Sequence, residues 1–403
     1  MKYSAQEVIQ YVNEEDINFI RLVFCDVYGK QKSIAIMPSE LSRAFEYGIA
    51  FDASSVGGFG DESHSDLFLR PDPETLALLP WRPENGRAIR MFCTITKPNG
   101  EICEYDTRNI LKKAIADAKK SGYEFSFGSE LEFYLFKLDD NGNPTKEPYD
   151  NASYMDMVPE DRCENLRREI CLGMEKMGIH PESSHHEEGP GQNEIDFRYS
   201  DPLTAADEAM AFQVIVKTIA RRNGLYADFS PKPIADKPGN GLHINMSVKN
   251  DENHILLPQM LAGIMELIQD LTVFLNPVKE SYLRFGQSKA PKYISWSGEN
   301  RSQLIRIPAA SGEYRRAEMR SPDPSSNPYL AFALMIYAGI YGIRNKLELP
   351  PSADLNLYKA PSEELAKYKR LPQDLEAACR AAADSDFIKK HIPTDILDIY
   401  CKR

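Results

Sequence analysis

Apolar and polar positions over the first hundred residues read as short strands joined by turns. Ser4 opens a short helix that runs to Asn13, and Ile17–Cys25 is an apolar-rich strand. A turn at Asp26–Lys30 sends the chain back as the strand Gln31–Ile36, so the pair forms a hairpin. Pro38–Tyr47 has helical character, Phe51–Gly60 is a loop of small residues, and Leu67–Pro80 holds strand fragments. Arg87–Thr96 is a further strand, closed by a turn at Pro98–Gly100. Residues 1–104 therefore read as a small α+β unit. In residues 105–403 longer helices join the pattern. Asp106 and Thr107 cap one that ends at Lys120, and others are expected over 160–177, 203–221 and 255–275. Asn327 followed by Pro328 starts a buried helix, and the tail from Ser362 is charged and helical. Strands are expected over 125–136, around the Gly-Pro-Gly turn at 189–191, and over 225–230, 242–248, 292–297, 302–307 and 314–320. Hairpins mixed with helices make the whole chain α+β.

Composition narrows the function. A chain of 403 residues with 42% hydrophobic content holds a large core, in two or three domains or one large domain with a smaller partner. A net charge of −12 without a basic face argues against a nucleic-acid partner. Seven cysteines without a CxxC pair point to a reducing cytoplasm. The start lacks the apolar core of a signal peptide, and the apolar run Tyr329–Ile343 is too short for a membrane span. A cytoplasmic protein without a membrane partner is expected.

The chemistry collects in a few stretches. Glu130 and Glu132 stand two residues apart inside Phe125–Phe136, so a strand points both to one face. Two such anions among apolar neighbours need a cation or a proton; the bland alternative is a solvated edge strand. Arg316, Glu318 and Arg320 share a face at the same spacing, either as a salt-bridge ladder or as a cation ligand flanked by anion-gripping arginines. Arg301 and Arg306 add cationic groups upstream. His243 follows a glycine-rich turn where backbone can approach a ligand, and a hairpin could bring Glu187 to Glu194. Oxygen ligands with at most one imidazole suit magnesium or manganese over zinc. With neither a GxxxxGK[ST] nor a GxGxxG motif present, these residues describe a metal-assisted enzyme acting on phosphate.

Five ordered segments together resemble the glutamine synthetase family: Phe51–Ser55, Ser129–Phe133, His185–Glu194, Gly241–His243, and Asn300–Ser302 continuing to Asn327–Leu330. The resemblance covers roughly residues 17–361. It implies a small N-terminal β-grasp domain and a large C-terminal catalytic domain with a curved antiparallel sheet. It also implies a homo-oligomer, a hexameric ring or a dodecamer, with active sites between subunits. By position, Glu132, Glu187 and Glu194 are expected to hold one divalent ion, and Glu130, His243 and Glu318 a second. Asn245, Ser247, Arg301, Arg306 and Arg316 fall where the family handles ATP. Gly239, Arg284, Lys289 and Arg320 fall on the side of glutamate and the amine, and Arg320 is also expected to act in catalysis. Asp52 matches the base that takes a proton from ammonium in the adjacent subunit. The implied reaction is ATP-dependent amide formation at the γ-carboxyl of glutamate, with ammonia, through a γ-glutamyl phosphate.

Three positions depart from the family pattern. Lys289 stands where members that make glutamine carry a flap glutamate, Pro238 replaces an asparagine, and Asn245 replaces a histidine. The sequence stops at Arg403, so the long final helix that joins two rings in many bacterial members is expected to be missing. Tyr358 sits in a context like that of the adenylylated tyrosine of some members. The departures leave two alternatives: a γ-glutamyl ligase for a larger amine or a different acid, and a ring-forming scaffold that has lost catalysis.

Overall fold

A computed structural model describes residues 3–60, 65–81, 86–249, 251, 254–287, 289–309 and 315–402. Helix α1 (Ala5–Glu14) begins at a capping box, in which the Ser4 hydroxyl accepts from the Glu7 N–H while the Glu7 carboxylate accepts from the Ser4 N–H. The first sheet is built from β1 (Ile17–Cys25), β2 (Gln31–Ile36), β3 (Ile49–Asp52), β4 (Asp66–Pro71), β5 (Ala77–Leu78) and β6 (Arg87–Thr96). Its order is β2-β1-β6-β4-β3, with β5 also on β6. The β1–β6 pair is parallel and the others are antiparallel. The segment expected as one helix from Pro38 is a 3-10 turn, Pro38–Glu40, running into α2 (Leu41–Glu46).

The second sheet forms around β7 (Phe125–Leu138), the longest strand among the described residues. Its other members are β8 (Pro144–Pro148), β9 (Pro181–His186), β10 (Gln192–Phe197), β11 (Leu225–Asp228), β12 (Leu242–Val248), β13 (Trp296–Ser297), β14 (Ile305–Arg306) and β15 (Ala317–Met319). The order is β13-β14-β15-β12-β7-β10-β9, with β8 and β11 also on β7. Every pair is antiparallel except β13–β14. The strands expected over 292–297, 302–307 and 314–320 shrink to two or three residues. Tyr314 of the last lies outside the described residues. These pieces sit at the sheet's edge, where few partner residues extend a ladder.

The two-residue period of β7 separates its faces. Phe127 stacks on Phe332, with ring centroids 4.7 Å apart, and Phe133 meets Phe212 and Phe229. Those partners lie on or beside α5 (Pro202–Arg222) and α7 (Pro328–Arg344), so the odd-numbered side faces the helical layer. Ser126, Gly128, Glu130 and Glu132 lie on the other side. The remaining helices are α3 (Thr107–Lys120), α4 (Glu164–Lys176), α6 (Leu256–Leu275), α8 (Ser362–Leu365), α9 (Leu375–Asp384), α10 (Asp386–His391) and α11 (Thr394–Cys401). No described helix is long and apolar enough to cross a membrane.

The two sheets are joined through buried polar groups. Arg108 on α3 pairs with Asp72 of the first unit at 2.9 Å and with Asp207 on α5 at 2.7 Å. The Asn327 amide donates to the Val27 carbonyl and to the Thr107 hydroxyl, while Tyr400 near the C-terminus donates to Val27 as well. Helices α6 and α7 cross at Gly263 and Gly342. A Cβ on Gly342 would come within 2.7 Å of the Gly263 nitrogen and press into the Gln259 carbonyl. Gly342→Ala is expected to destabilise the protein by about 1–3 kcal/mol through backbone overpacking. A thermal-denaturation midpoint equal to that of the parent protein would count against this close crossing.

Candidate active site

Strand register gathers the acidic residues. Across β7, Glu130 faces Asp196 on β10 and His243 on β12, and Glu132 faces Glu194, which in turn faces His185 on β9. One step along, Asn245 on β12 faces Glu318 on β15, and Glu318 faces Arg306 on β14. The tight turn after His186 adds Glu187, whose carboxylate lies 3.3 Å from His185 Nε2. Glu130, Glu194 and His243 present ligand atoms within 4.8 Å of one another, and so do His185, Glu187 and Glu194. His243 Nδ1 is 3.4 Å from Glu130 and 3.7 Å from Glu318.

This concentration of anions leaves an electrostatic signature. Burial, with the carboxylates of Glu132, Asp196, Glu130 and Glu187, holds the Glu194 carboxyl well above the usual range. Burial and Glu130 push Asp196 upward too. Glu130 also resists ionisation through burial, but the His243 hydrogen bond and charge, helped by Asn245, lower it to about 2. Buried acids short of cations, offering oxygens and one or two imidazoles, fit a hard divalent ion. Glu132 is anchored beside them, accepting from the Gly241 N–H at 2.7 Å and from the Gln192 amide at 3.3 Å.

Arginines ring the cluster. Glu318 is held by Arg306, 2.9 Å away, and by a very close pair with Arg320. Burial works against the Arg320 charge, yet Glu318, Glu130 and Glu132 raise its pKa overall. Arg284 is buried, donates to the Ser321 carbonyl at 3.0 Å and approaches Asp323. The Nε atoms of Arg284 and Arg320 are buried without a partner among the described residues, leaving two donors for an anion. Gly239 passes so near Arg284 that a Cβ there would approach Arg284 Cγ to 2.7 Å. Asn245 donates to Glu130 at 2.7 Å and accepts from Arg316 Nε at 3.0 Å. Asn245, Ser247 and Arg316 line a cavity of about 110 Å³ together with Glu130, Asp196 and Tyr199.

Two other expected residues, Arg301 and Asp52, lie apart, whereas Lys289 stands beside the cluster. Arg301 is in an exposed turn. Asp52 ends β3 on the first sheet, exposed, with its carboxylate accepting from the Ser54 N–H and hydroxyl. Lys289 Nζ pairs with Glu188 at 2.8 Å. Sequence reasoning passed over Asp196, His185, Gln192, Glu188 and Tyr154. The spacing that singles out Glu130 and Glu132 also links Glu194 to Asp196; the other four have no such signal without strand pairing.

A second acidic group, Asp150, Asp161, Cys163 and His186, is buried beneath the hairpin. It is internally satisfied. His186 faces Asp150 through Nε2 at 2.9 Å and the Glu187 carbonyl through Nδ1 at 2.7 Å. The Cys163 thiol donates to Asp150, and Arg167 pairs with Asp161 at 2.5 Å. This network also explains why the helix expected from residue 160 begins at Glu164, with Cys163 held at its cap.

Comparison with known proteins agrees with this architecture. Residues 16–98 match the family model for the glutamine synthetase beta-Grasp domain, and residues 104–403 match that for the glutamine synthetase catalytic domain. A glutamine synthetase from Clostridium saccharobutylicum is 41% identical, over 99% of this chain and 94% of its own length. One from Methanosarcina mazei is 42% identical, over 98% of this chain and 92% of its own length. Among solved structures, a GmaS/ADP complex superposes with a TM-score of 0.88 at 27% identity, covering 100% of this chain and 94% of that one. By both domains, and along nearly its whole length, the chain belongs to the glutamine synthetase family.

Proposed function

We propose that this chain is an ATP-dependent ligase that joins ammonia to the γ-carboxylate of glutamate. The observation that carries the reading is the row of carboxylates and imidazoles across one sheet face, with unpartnered arginine donors beside it. Magnesium or manganese ions, one in each ligand group, would supply charge neutralisation for the phosphates when bound. Glu130, Glu194, His243 and Glu318 would hold one, and Glu132, Glu187 and Glu194, aided by His185, the other.

The protein's own groups do the rest. Arg306 and Arg316, with Asn245 and Ser247, bind the phosphate chain of ATP, and Arg301 closes on it from the exposed turn. Arg284 and Arg320 grip the carboxylates of glutamate through their spare Nε donors, and Gly239 lets the backbone come close to that substrate. Arg320 then opposes the negative charge that builds as a γ-carboxylate oxygen attacks the terminal phosphorus and the bond to ADP breaks. The resulting γ-glutamyl phosphate reacts with the amine at its carbonyl carbon, inorganic phosphate leaves, and the nitrogen's excess proton passes to Asp52.

Asp52 belongs to the unit of residues 1–104, whereas the cluster belongs to residues 105–403. Exposure of Asp52 supports a closed ring, a hexamer or a pair of hexamers, in which one subunit lends its base to the next. The decisive assay is ADP release coupled to a reporter, with glutamate and ammonia present or omitted. Absence of glutamate-dependent ADP release with ammonia or any other amine would end this reading.

Glu318→Ala is expected to abolish turnover, and Asp52→Asn to lose most of it. Subunits of the two variants, dissociated and reassembled in equal amounts, should recover roughly a quarter of parental activity, the statistical share of sites with both groups intact. No recovery in assemblies shown to be mixed would argue against a shared site. Glu194→Gln removes a repelled buried acid, so without divalent ions it should melt a few degrees higher than the parent. With manganese or magnesium the order should reverse, because the parent gains binding energy that the variant lacks. Equal shifts for both proteins in differential scanning fluorimetry would remove Glu194 from the ligand set.

A further inference from the structure

We propose that Lys289 occupies the cation subsite for the amine, so that the amine enters and reacts only as the uncharged base. This inference rests on the ligase reading above and names the substrate form that the reading leaves open.

The side chains of Lys289, Glu188 and Tyr154 form a small cage. Lys289 Nζ lies 2.8 Å from a Glu188 carboxylate oxygen and 4.6 Å from the centre of the Tyr154 ring. A carboxylate beside an aromatic face is a general receptor for ammonium groups. Glu188 directly follows Glu187, and Tyr154 packs edge-on against His185, 5.4 Å between ring centres, so the cage borders the acidic cluster. It is held from below as well, since Arg320 Nη2 donates to the Lys289 carbonyl at 3.4 Å. Lys289 takes a left-handed backbone, φ +66°.

The receptor is therefore filled by a cation that belongs to the chain. Partial burial works against the lysine charge, but the Glu188 hydrogen bond and the charges of Glu187 and Glu188 outweigh it and raise the pKa. An arriving ammonium ion must displace a tethered competitor whose effective concentration is on the order of millimolar or higher. A neutral amine faces no such competition, because the Lys289–Glu188 pair carries no net charge. Its lone pair can attack the acyl phosphate carbonyl at once. The C–N bond forms, the C–O bond to phosphate breaks, and the proton is shed from nitrogen after addition. The favoured class is small primary amines of low basicity, which are largely uncharged at the working pH.

The test uses the full-length protein, its Lys289→Met and Lys289→Arg variants, and glutamate-dependent ADP release. Below the pKa of ammonium, the free-base fraction rises about tenfold per pH unit. The apparent KM for total ammonia in the parent and in Lys289→Arg should fall by about that factor per unit. In Lys289→Met the slope should flatten, because the vacated cage accepts ammonium itself. At one fixed pH the parent should also show a lower KM for hydroxylamine than for ammonia, and Lys289→Met should narrow that gap. A merely structural lysine would alter kcat or KM by one factor at every pH, leaving the slope intact. A flat profile in the parent, or an equally steep one in Lys289→Met, overturns the inference while leaving the ligase reading standing. No ADP release with any amine overturns both.

Discussion

Carboxylates crowded on one sheet face repel each other, and much of this structure can be understood as the means of holding them there. Glu194 sits among Glu130, Glu132, Glu187 and Asp196, shielded from the water that would relax their repulsion. Such an arrangement survives only if the strands beneath cannot move apart. The aromatic side of β7, with Phe127 against Phe332 and Phe133 against Phe212, supplies that fixity. The stable face of the strand therefore supports its strained one, a common relation between a packed core and a functional surface.

The same logic orders the surrounding polar groups. Arg320 and Arg306 neutralise Glu318 from two sides, and Asn245 passes the influence of Arg316 to Glu130. Gly241 and Gln192 fix Glu132 by hydrogen bonds without bringing charge. The site is a graded field, acidic at its centre and cationic at its rim, which suits polyanionic substrates brought in with cations. The junction between the two sheets is also ionic, through Arg108, Asp72 and Asp207, so the unit that carries Asp52 is registered against the helices behind the cluster.

Much of this was legible in the sequence because local rules sufficed. The i, i+2 spacing put Glu130 and Glu132 on one face, the Asn327–Pro328 pair marked the start of α7, and the turn at Asp26–Lys30 set the first hairpin. Pairing between distant strands was not legible in that way. Nothing local says that Glu130 lies between Asp196 and His243, or that Glu188 meets Lys289, because residues of widely separated strands and loops choose partners through the whole sheet. Edge strands such as Trp296–Ser297 were overestimated for a related reason: apolar character signals a strand, but its length depends on the neighbour available to pair with it.

The imidazole of His186 has one further implication. Both of its ring nitrogens face acceptors, the Asp150 carboxylate and the Glu187 carbonyl, an arrangement that favours the doubly protonated ring. Burial disfavours that charge, but Asp150 and the Glu187 carbonyl restore it and lift the pKa above the ordinary histidine value. When protonated, the ring is a counter-ion just behind the acidic hairpin that belongs to the fold itself. Because the folded-state pKa is the higher one, this brace is complete below the ordinary histidine pKa and is lost as the pH rises through the raised value.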